Sequence, residues 1–173
     1  MLLKGNKITL RAIEPTDLEI LYKWENDTTV WTVSDTVTPF SRHVLLQYIE
    51  TCHLDIYTNK QLRLMIDTAD NTTIGCIDIF DFDPKNRRAG IGILIGEIEY
   101  RAKGFAADAL KTVIEYCFTT LHLHQLYCNI TTDNTNSLAL FKKQGFSVIG
   151  CKKEWILNDN EWLDEFTLQL IKE

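Results

Sequence analysis

Apolar and polar positions along the chain follow two rhythms, and the switches between them mark its elements. Lys7-Ile8-Thr9-Leu10-Arg11-Ala12-Ile13 alternates polar and apolar residues, the period of a half-buried strand. Pro15 and Asp17 then open a helix carrying Leu18, Leu21, Tyr22 and Trp24; Asn26-Asp27-Thr28-Thr29 ends it, and a loop runs to Phe40. Ser41 is placed to cap a second helix with Leu45, Tyr48, Ile49 and Cys52 along one side. Three strands follow, Leu62 to Asp67, Thr73 to Phe80 and Ala89 to Ile95. Asp70-Asn71 and Asp83-Pro84-Lys85-Asn86 punctuate them as turns, so an antiparallel meander is expected.

The rhythm then changes from two to about 3.6. From Gly104, the residues Ala106, Ala109, Leu110, Val113, Ile114, Cys117 and Phe118 form one apolar stripe, the clearest helix in the chain. Gln125 to Thr131 is a strand, and Asn134 to Gln144 a short helix closed by Gly145, a residue suited to the positive φ that follows a helix. Two last strands flank Asn158-Asp159-Asn160. A meander joined to crossover helices implies an α/β fold with a mixed sheet and helices on both faces. With 173 residues and no repeat or low-complexity run, residues 1–173 read as a single domain.

Charge and cysteines narrow the function. A formal net charge of −6 disfavours nucleic-acid binding, which needs a basic stripe, and suits a cationic small molecule as well as a bland soluble surface. The five cysteines, at 52, 76, 117, 128 and 151, show no metal-ligand spacing and read as reduced thiols, so no metal is expected. The N-terminal residues pass straight into a strand, and no segment approaches the roughly 20 apolar residues of a membrane span. A cytoplasmic protein without membrane contact is the expectation.

The segment from Ile93 to Ala106 carries the candidate chemistry. A strand ends, a short loop follows, and an amphipathic helix begins at Gly104. The first N–H groups of a helix have no internal partner and, with the helix dipole, form an anion site. Arg101 and Lys103 add charge beside it. By its own chemistry the turn admits two readings: a pyrophosphate cradle, or a flexible entry to a core helix. It is neither Gly-x-x-x-x-Gly-Lys-Ser/Thr nor Gly-x-Gly-x-x-Gly, which removes the nucleoside-triphosphate and dinucleotide loops.

Arg101-x-x-Gly104-x-Ala106 after a strand resembles the Arg/Gln-x-x-Gly-x-Gly/Ala acetyl-CoA signature of the GNAT N-acetyltransferases. Asn134 to Phe146, the strands around Trp155 and Trp162, and Arg87-Arg88-Ala89 extend the resemblance over essentially the whole chain. It is nearest to the branch holding spermidine, diamine and ribosomal-protein N-terminal acetyltransferases. The resemblance implies a GNAT fold, a mostly antiparallel sheet whose parallel central strands splay to admit acetyl-CoA as co-substrate. It implies that Arg101, Ala102, Lys103, Gly104, Phe105, Ala106 and Ala107 hold the pyrophosphate. Ile93, Leu94 and Ile95 would pair with the pantetheine arm as an added strand. Asn134 would fasten that arm, and Ser137, Phe141 and Lys143 would line the thiol end. Gly90, Gly92 and Gly96 would leave an uncrowded surface.

Transfer to an alkylamine needs the free base, which near neutral pH is only about one molecule in 10³ at a pKa of ~10.4. The family's oxyanion donor, a backbone N–H, falls at Leu94. Its general-base Glu falls at Gly90, which leaves Asp78 and Asp81 on the neighbouring strand to take a proton or to bind a cationic substrate, or simply to be solvated. The Tyr that serves polyamine-acetylating relatives as general acid is replaced by Phe141, which cannot donate and whose stronger role is core packing. His122 and His124 read as helix-end residues, and Trp24, Trp31, Phe40 and Tyr48 as core before substrate mouth. Ser137 and Cys128 have no nucleophile's partners. The expected partner is a small amine, first a polyamine or diamine such as spermidine, second a protein N-terminus or other small amine; a homo-oligomer is possible. A silent acyl-CoA-binding module is the rival from another class.

Overall fold

Leucine and isoleucine occupy alternate positions on adjacent strands, and this builds one large sheet. The computed structural model describes residues 3–34 and 36–172. Its strands are β1 (Leu3–Lys4), β2 (Ile8–Ala12), β3 (Leu62–Thr68), β4 (Thr73–Asp83), β5 (Arg88–Ile95), β6 (Gln125–Thr131), β7 (Ser147–Asn158) and β8 (Glu161–Ile171). They lie in the order β1-β2-β3-β4-β5-β6-β8-β7. Neighbours are antiparallel except β5 and β6, which run parallel. The helices are α1 (Leu18–Glu25), α2 (Trp31–Ser34), α3 (Arg42–Thr51), α4 (Ile56–Asn59), α5 (Phe105–Thr119) and α6 (Thr135–Lys143).

Residues paired across a ladder share a face. One face therefore collects Ile8, Leu10, Leu64, Ile66, Ile77, Ile79 and Ile91, all buried against Ala109, Leu110, Val113 and Cys117 of α5 and Leu138 and Phe141 of α6. Each such burial stabilises the fold by about 1.5–3 kcal/mol. On the opposite face Met65 and Cys76 pack with Leu21 and Trp24 of α1 and Ile49 of α3. Helices thus cover both faces, as the pattern implied.

The second face also carries a polar knot. Arg11 of β2 donates from Nη1 and Nη2 to the two oxygens of Asp17 (2.8 Å each) and from Nε to Asp67 (2.6 Å). Asp17 also accepts from the Glu14 amide, so one guanidinium ties the entry of α1 to the sheet. Arg11 is held well above the ordinary arginine value, chiefly by Asp17, against the opposing cost of burial.

Several elements depart from the pattern. Pro15–Asp17 is a 3-10 turn, and α1 begins only at Leu18. The segment expected as loop before Phe40 holds α2, and α4 and β1 are likewise additional. All three are too short to show a period; α4 is set by Asp55, whose carboxylate caps it. Strand β4 continues past Phe80 to Asp83 through a bulge in its pairing with β5. At the far edge, the β7–β8 hairpin leaves Trp155, Leu157 and Trp162 exposed.

Candidate functional site

The site is organised by a parting in the middle of the sheet. Strands β5 and β6 pair only at Arg88↔Gln125, Ala89↔Leu126 and Gly90↔Tyr127, after which they diverge. From Ile91 to Ile95, β5 pairs with β4 alone, and from Cys128 to Thr131, β6 pairs with β8 alone. A V-shaped opening results, with an interior strand edge along one limb. Ile93, Leu94 and Ile95 are half-buried on that limb.

The limb leads to the turn singled out in the sequence. The Gly96 and Glu97 amides donate to the Ile74 carbonyl at 2.9 and 3.2 Å, closing the strand. Arg101 folds back, its Nε donating to the Ile95 carbonyl at 2.9 Å. Ala102 and Gly104 then take left-handed φ values of 58° and 87°, which swing the chain into α5. The first backbone bond of α5 runs from Asp108 to the Gly104 carbonyl (3.1 Å), leaving the amides of Phe105, Ala106 and Ala107 without intrahelical partners. A Cβ on Gly104 would meet only the Lys7 ammonium at 3.3 Å, so glycine answers to its φ and not to crowding.

Lys7, which the sequence did not flag, donates to the Lys103 carbonyl at 3.0 Å. Its own amide and that of Ile8 bind the Asp108 carboxylate at 2.7 and 3.2 Å, pinning the start of α5 to the β1–β2 turn. Lys7 thus joins Arg101 and Lys103 beside the unpartnered amides at the start of α5. That donor set fits a diphosphate, and the open edge of β5 fits an amide-bearing arm; this chain has both features that an acetyl-CoA site requires.

Helix α6 follows directly on the other limb, β6. Asn134 caps it, its Oδ1 accepting from the Ser137 amide at 3.2 Å, which leaves its amide nitrogen for another acceptor. Ser137 is half-buried and Lys143 exposed in the last turn. Phe141 is only 3% exposed and lies edge-to-face on Phe146, with centroids 5.1 Å apart. Its ring belongs to the core.

The two candidate carboxylates occupy different settings. Asp78 accepts from Arg63 through both oxygens, at 2.8 and 2.9 Å, while Arg63 also reaches Glu25 of α1. Burial works against the Arg63 charge, but Asp78 keeps its pKa well above the ordinary value. One guanidinium between two carboxylates leaves a formal excess of one negative charge. Asp78 pairs with Gly92, so this excess lies one strand away from the open edge of β5. Asp81 sits in the β4 bulge with a φ of 48° and accepts from the Tyr127 hydroxyl at 2.8 Å. Arg63, Glu25 and Tyr127 were all missed in the sequence, because neither spacing nor motif links residues on α1, β3, β4 and β6.

Two glycines expected to leave open floor are instead covered. A Cβ on Gly90 would lie 2.2 Å from the Phe80 ring, and one on Gly96 at 2.2 Å from the Trp24 indole. Only Gly92 fits the expectation, its nearest neighbour being Phe80 at 3.7 Å. Phe80 thus fills the space a Gly90 side chain would need. Trp24 is held over Gly96 by donating to Glu97 at 2.9 Å, and Trp31 donates to the Glu25 carbonyl at 2.9 Å. His122 and His124 contribute backbone bonds to Arg87. Burial pushes the Cys128 thiol up to about 12. Among the described residues no metal-binding cluster occurs, and no helix is long and apolar enough to cross a membrane.

Comparison with known proteins agrees with this architecture. Residues 7–147 match the acetyltransferase (GNAT) domain family. Spermidine N(1)-acetyltransferase of Vibrio cholerae is 26% identical over 145 residues, covering 82% of this chain and 80% of the relative. The Escherichia coli K12 enzyme of the same name is 28% identical over 149 residues, covering 84% and 76%. The crystal structure of the Vibrio cholerae spermidine N-acetyltransferase with CoA and spermine superposes with a TM-score of 0.88 over 96% of both chains, at 23% identity, a likeness of fold. With the family matched over most of its length, the chain belongs to the GNAT acetyltransferases and is an acetyl-CoA-dependent N-acetyltransferase.

Proposed function

We propose that the acceptor is a cationic alkylamine, first a polyamine or diamine such as spermidine, acetylated by direct attack of its free amine. The observation that carries this is the Glu25–Arg63–Asp78 cluster, whose uncompensated negative charge lies beside Gly92 on the acceptor side of β5. A partly buried site of one sign attracts a ligand of the other. The net charge of −6 acts in the same direction, and two relatives are named for spermidine.

In this assignment the Arg101 side chain and the amides of Ala102 to Ala107 hold the diphosphate, and the edge from Ile93 to Ile95 and Asn134 hold the arm. Ser137 and Lys143 flank its thiol end, with Phe141 as the packed wall behind them. The thioester supplies an activated acetyl group. The register turns the Leu94 amide toward Cys76 of β4, so the donor to the oxygen on which charge develops falls to the neighbouring Ile93 and Ile95, whose amides face the open edge. Asp78, with both oxygens engaged by Arg63, binds and orients the ammonium; Asp81, exposed and strained, takes the proton that nitrogen loses. The exposed Trp155, Leu157 and Trp162 support an assembly of more than one copy.

The test is thiol release from acetyl-CoA with spermidine, putrescine, short peptides and aminoglycosides. Spermidine or putrescine is expected to turn over selectively, with Asp78→Asn raising KM for the amine at least tenfold. Selective turnover of a peptide N-terminus, or an unchanged KM in that variant, overturns the acceptor assignment.

A further inference from the structure

At the vertex of the V, one side chain that the mechanism has not used faces the acceptor side. Tyr127 occupies the last paired position of β6, opposite Gly90. Its hydroxyl donates to Asp81 at 2.8 Å, and its ring stands edge-to-face to Phe80, with centroids 5.8 Å apart and planes at 82°. Phe80 in turn lies over Gly90, so the three residues pack as one unit on the strand pair that closes the V.

Asp81 is the odd member. Regular alternation would turn its side chain toward the core, between Phe80 and the buried Phe82. The bulge inserts it instead in a left-handed conformation, with a φ of 48°. Bulges re-aim side chains beside active sites, and such a backbone costs about 1–2 kcal/mol for a residue other than glycine. The Tyr127 hydroxyl is the side-chain partner that holds the re-aimed carboxylate. The two residues also edge a groove of about 420 Å³ that continues over β6 and β8.

We infer that Tyr127 is a positioning residue for acetyl transfer: through its hydrogen bond it holds the strained Asp81 carboxylate at the vertex, where the nitrogen of the acceptor loses its proton. The role presupposes the amine-transfer assignment above. As the C–N bond forms and the C–S bond breaks with its electron pair on sulfur, the proton released by nitrogen passes to Asp81 and from there to solvent. Tyr127 keeps its own proton throughout: burial and then Asp81 push its hydroxyl up to about 12. The charged groups around the phenol are Asp81 and Asp83 of β4 and Arg88 of β5.

The experiment compares Tyr127→Phe, Asp81→Asn and the double variant, in kinetics and in [13Cζ]-tyrosine NMR, where the peak lost in Tyr127→Phe assigns Tyr127. Tyr127→Phe is expected to lower kcat/KM for the amine about tenfold, with acetyl-CoA affinity within twofold of the parent. The double variant should be no slower than Asp81→Asn alone, because coupled residues are not additive. In Asp81→Asn the Tyr127 midpoint should fall by about one pH unit. Additive losses, an unshifted midpoint, or a Tyr127→Phe enzyme as fast as the parent each overturn the inference. A parent that binds acetyl-CoA but acetylates no amine overturns the amine-transfer assignment itself.

Discussion

Gly90 stands where the resemblance implied a general-base glutamate, and the structure ascribes its lack of a side chain to Phe80. A Cβ built there would sit 2.2, 2.4 and 2.7 Å from three atoms of that ring. Carbon atoms prefer about 3.5–4.0 Å, so Gly90→Ala must drive the ring back by more than an ångström. Overpacking of this kind costs about 1–3 kcal/mol, partly offset by the roughly 0.5–1 kcal/mol that alanine recovers over glycine in a strand. The retreating ring also loses its edge-to-face contact with Tyr127, a contact of about 0.5–1.5 kcal/mol. The net expectation is a destabilisation of about 1–3 kcal/mol in urea melts, a fall in Tm of roughly 2–12 °C at about 2–4 °C per kcal/mol. In a Phe80→Ala background the obstacle is gone, and Gly90→Ala should become neutral or mildly stabilising. The double-mutant cycle should therefore show a coupling of about 1.5–3 kcal/mol. A Gly90→Ala protein as stable as the parent, or equally destabilised in both backgrounds, would refute the packing explanation.

Three further outcomes follow from the geometry. Arg11→Met leaves Asp17 and Asp67 facing each other at the entry of α1 and should cost about 3 kcal/mol in urea melts, since removing one partner strands buried charge; a loss below 1 kcal/mol would show the knot to be solvated. Burial pushes Cys76, Cys117 and Cys128 up to about 12 from an ordinary 9.0. The unfolded chain ionises first, so stability is full below about pH 9 and falls as pH rises toward 12, by up to ~1.4 kcal/mol per pH unit per thiol; flat urea midpoints between pH 8 and 10.5 would contradict this. Phe141→Tyr should lower stability by about 1–3 kcal/mol without raising kcat, because the added hydroxyl enters the core and not the site; a rise in kcat would place that ring in the acetyl-transfer path.

Much of this was legible in sequence because it is local. The stripe from Ala106 to Phe118, the short helix that follows Asn134 and the glycines at 104 and 145 are set by neighbours within a few residues, and each appears where the pattern put it, to within a residue at the helix ends. The strand, turn and helix start from Ile93 to Ala106 were legible for the same reason, since they are contiguous. What escaped is non-local. Arg63 meets Glu25 and Asp78 across 38 and 15 residues, and Tyr127 meets Asp81 across 46, with no periodic signature. The bulge that turns Asp81 outward adds one residue to a strand and leaves the alternation looking only slightly shorter, hence the expected end at Phe80. Gly90 and Gly96 were misjudged because a glycine reads alike whether it faces space or lies under a ring from another element.

The parting of β5 and β6 also bears on how the molecule holds together. With three residue pairs at the vertex, the sheet behaves as two leaves, β1 to β5 and β6 to β8, hinged at one end and bridged beneath by α5. Each leaf can loosen without unzipping the other, so amide exchange in the empty protein should be fastest along Ile91 to Ile95, in the centre of the sheet instead of at its rim. A co-substrate lying in the V would act as a removable ninth strand, turning two leaves into one cooperative unit. Its concentration in the cell would then set the rigidity of the enzyme as well as its rate.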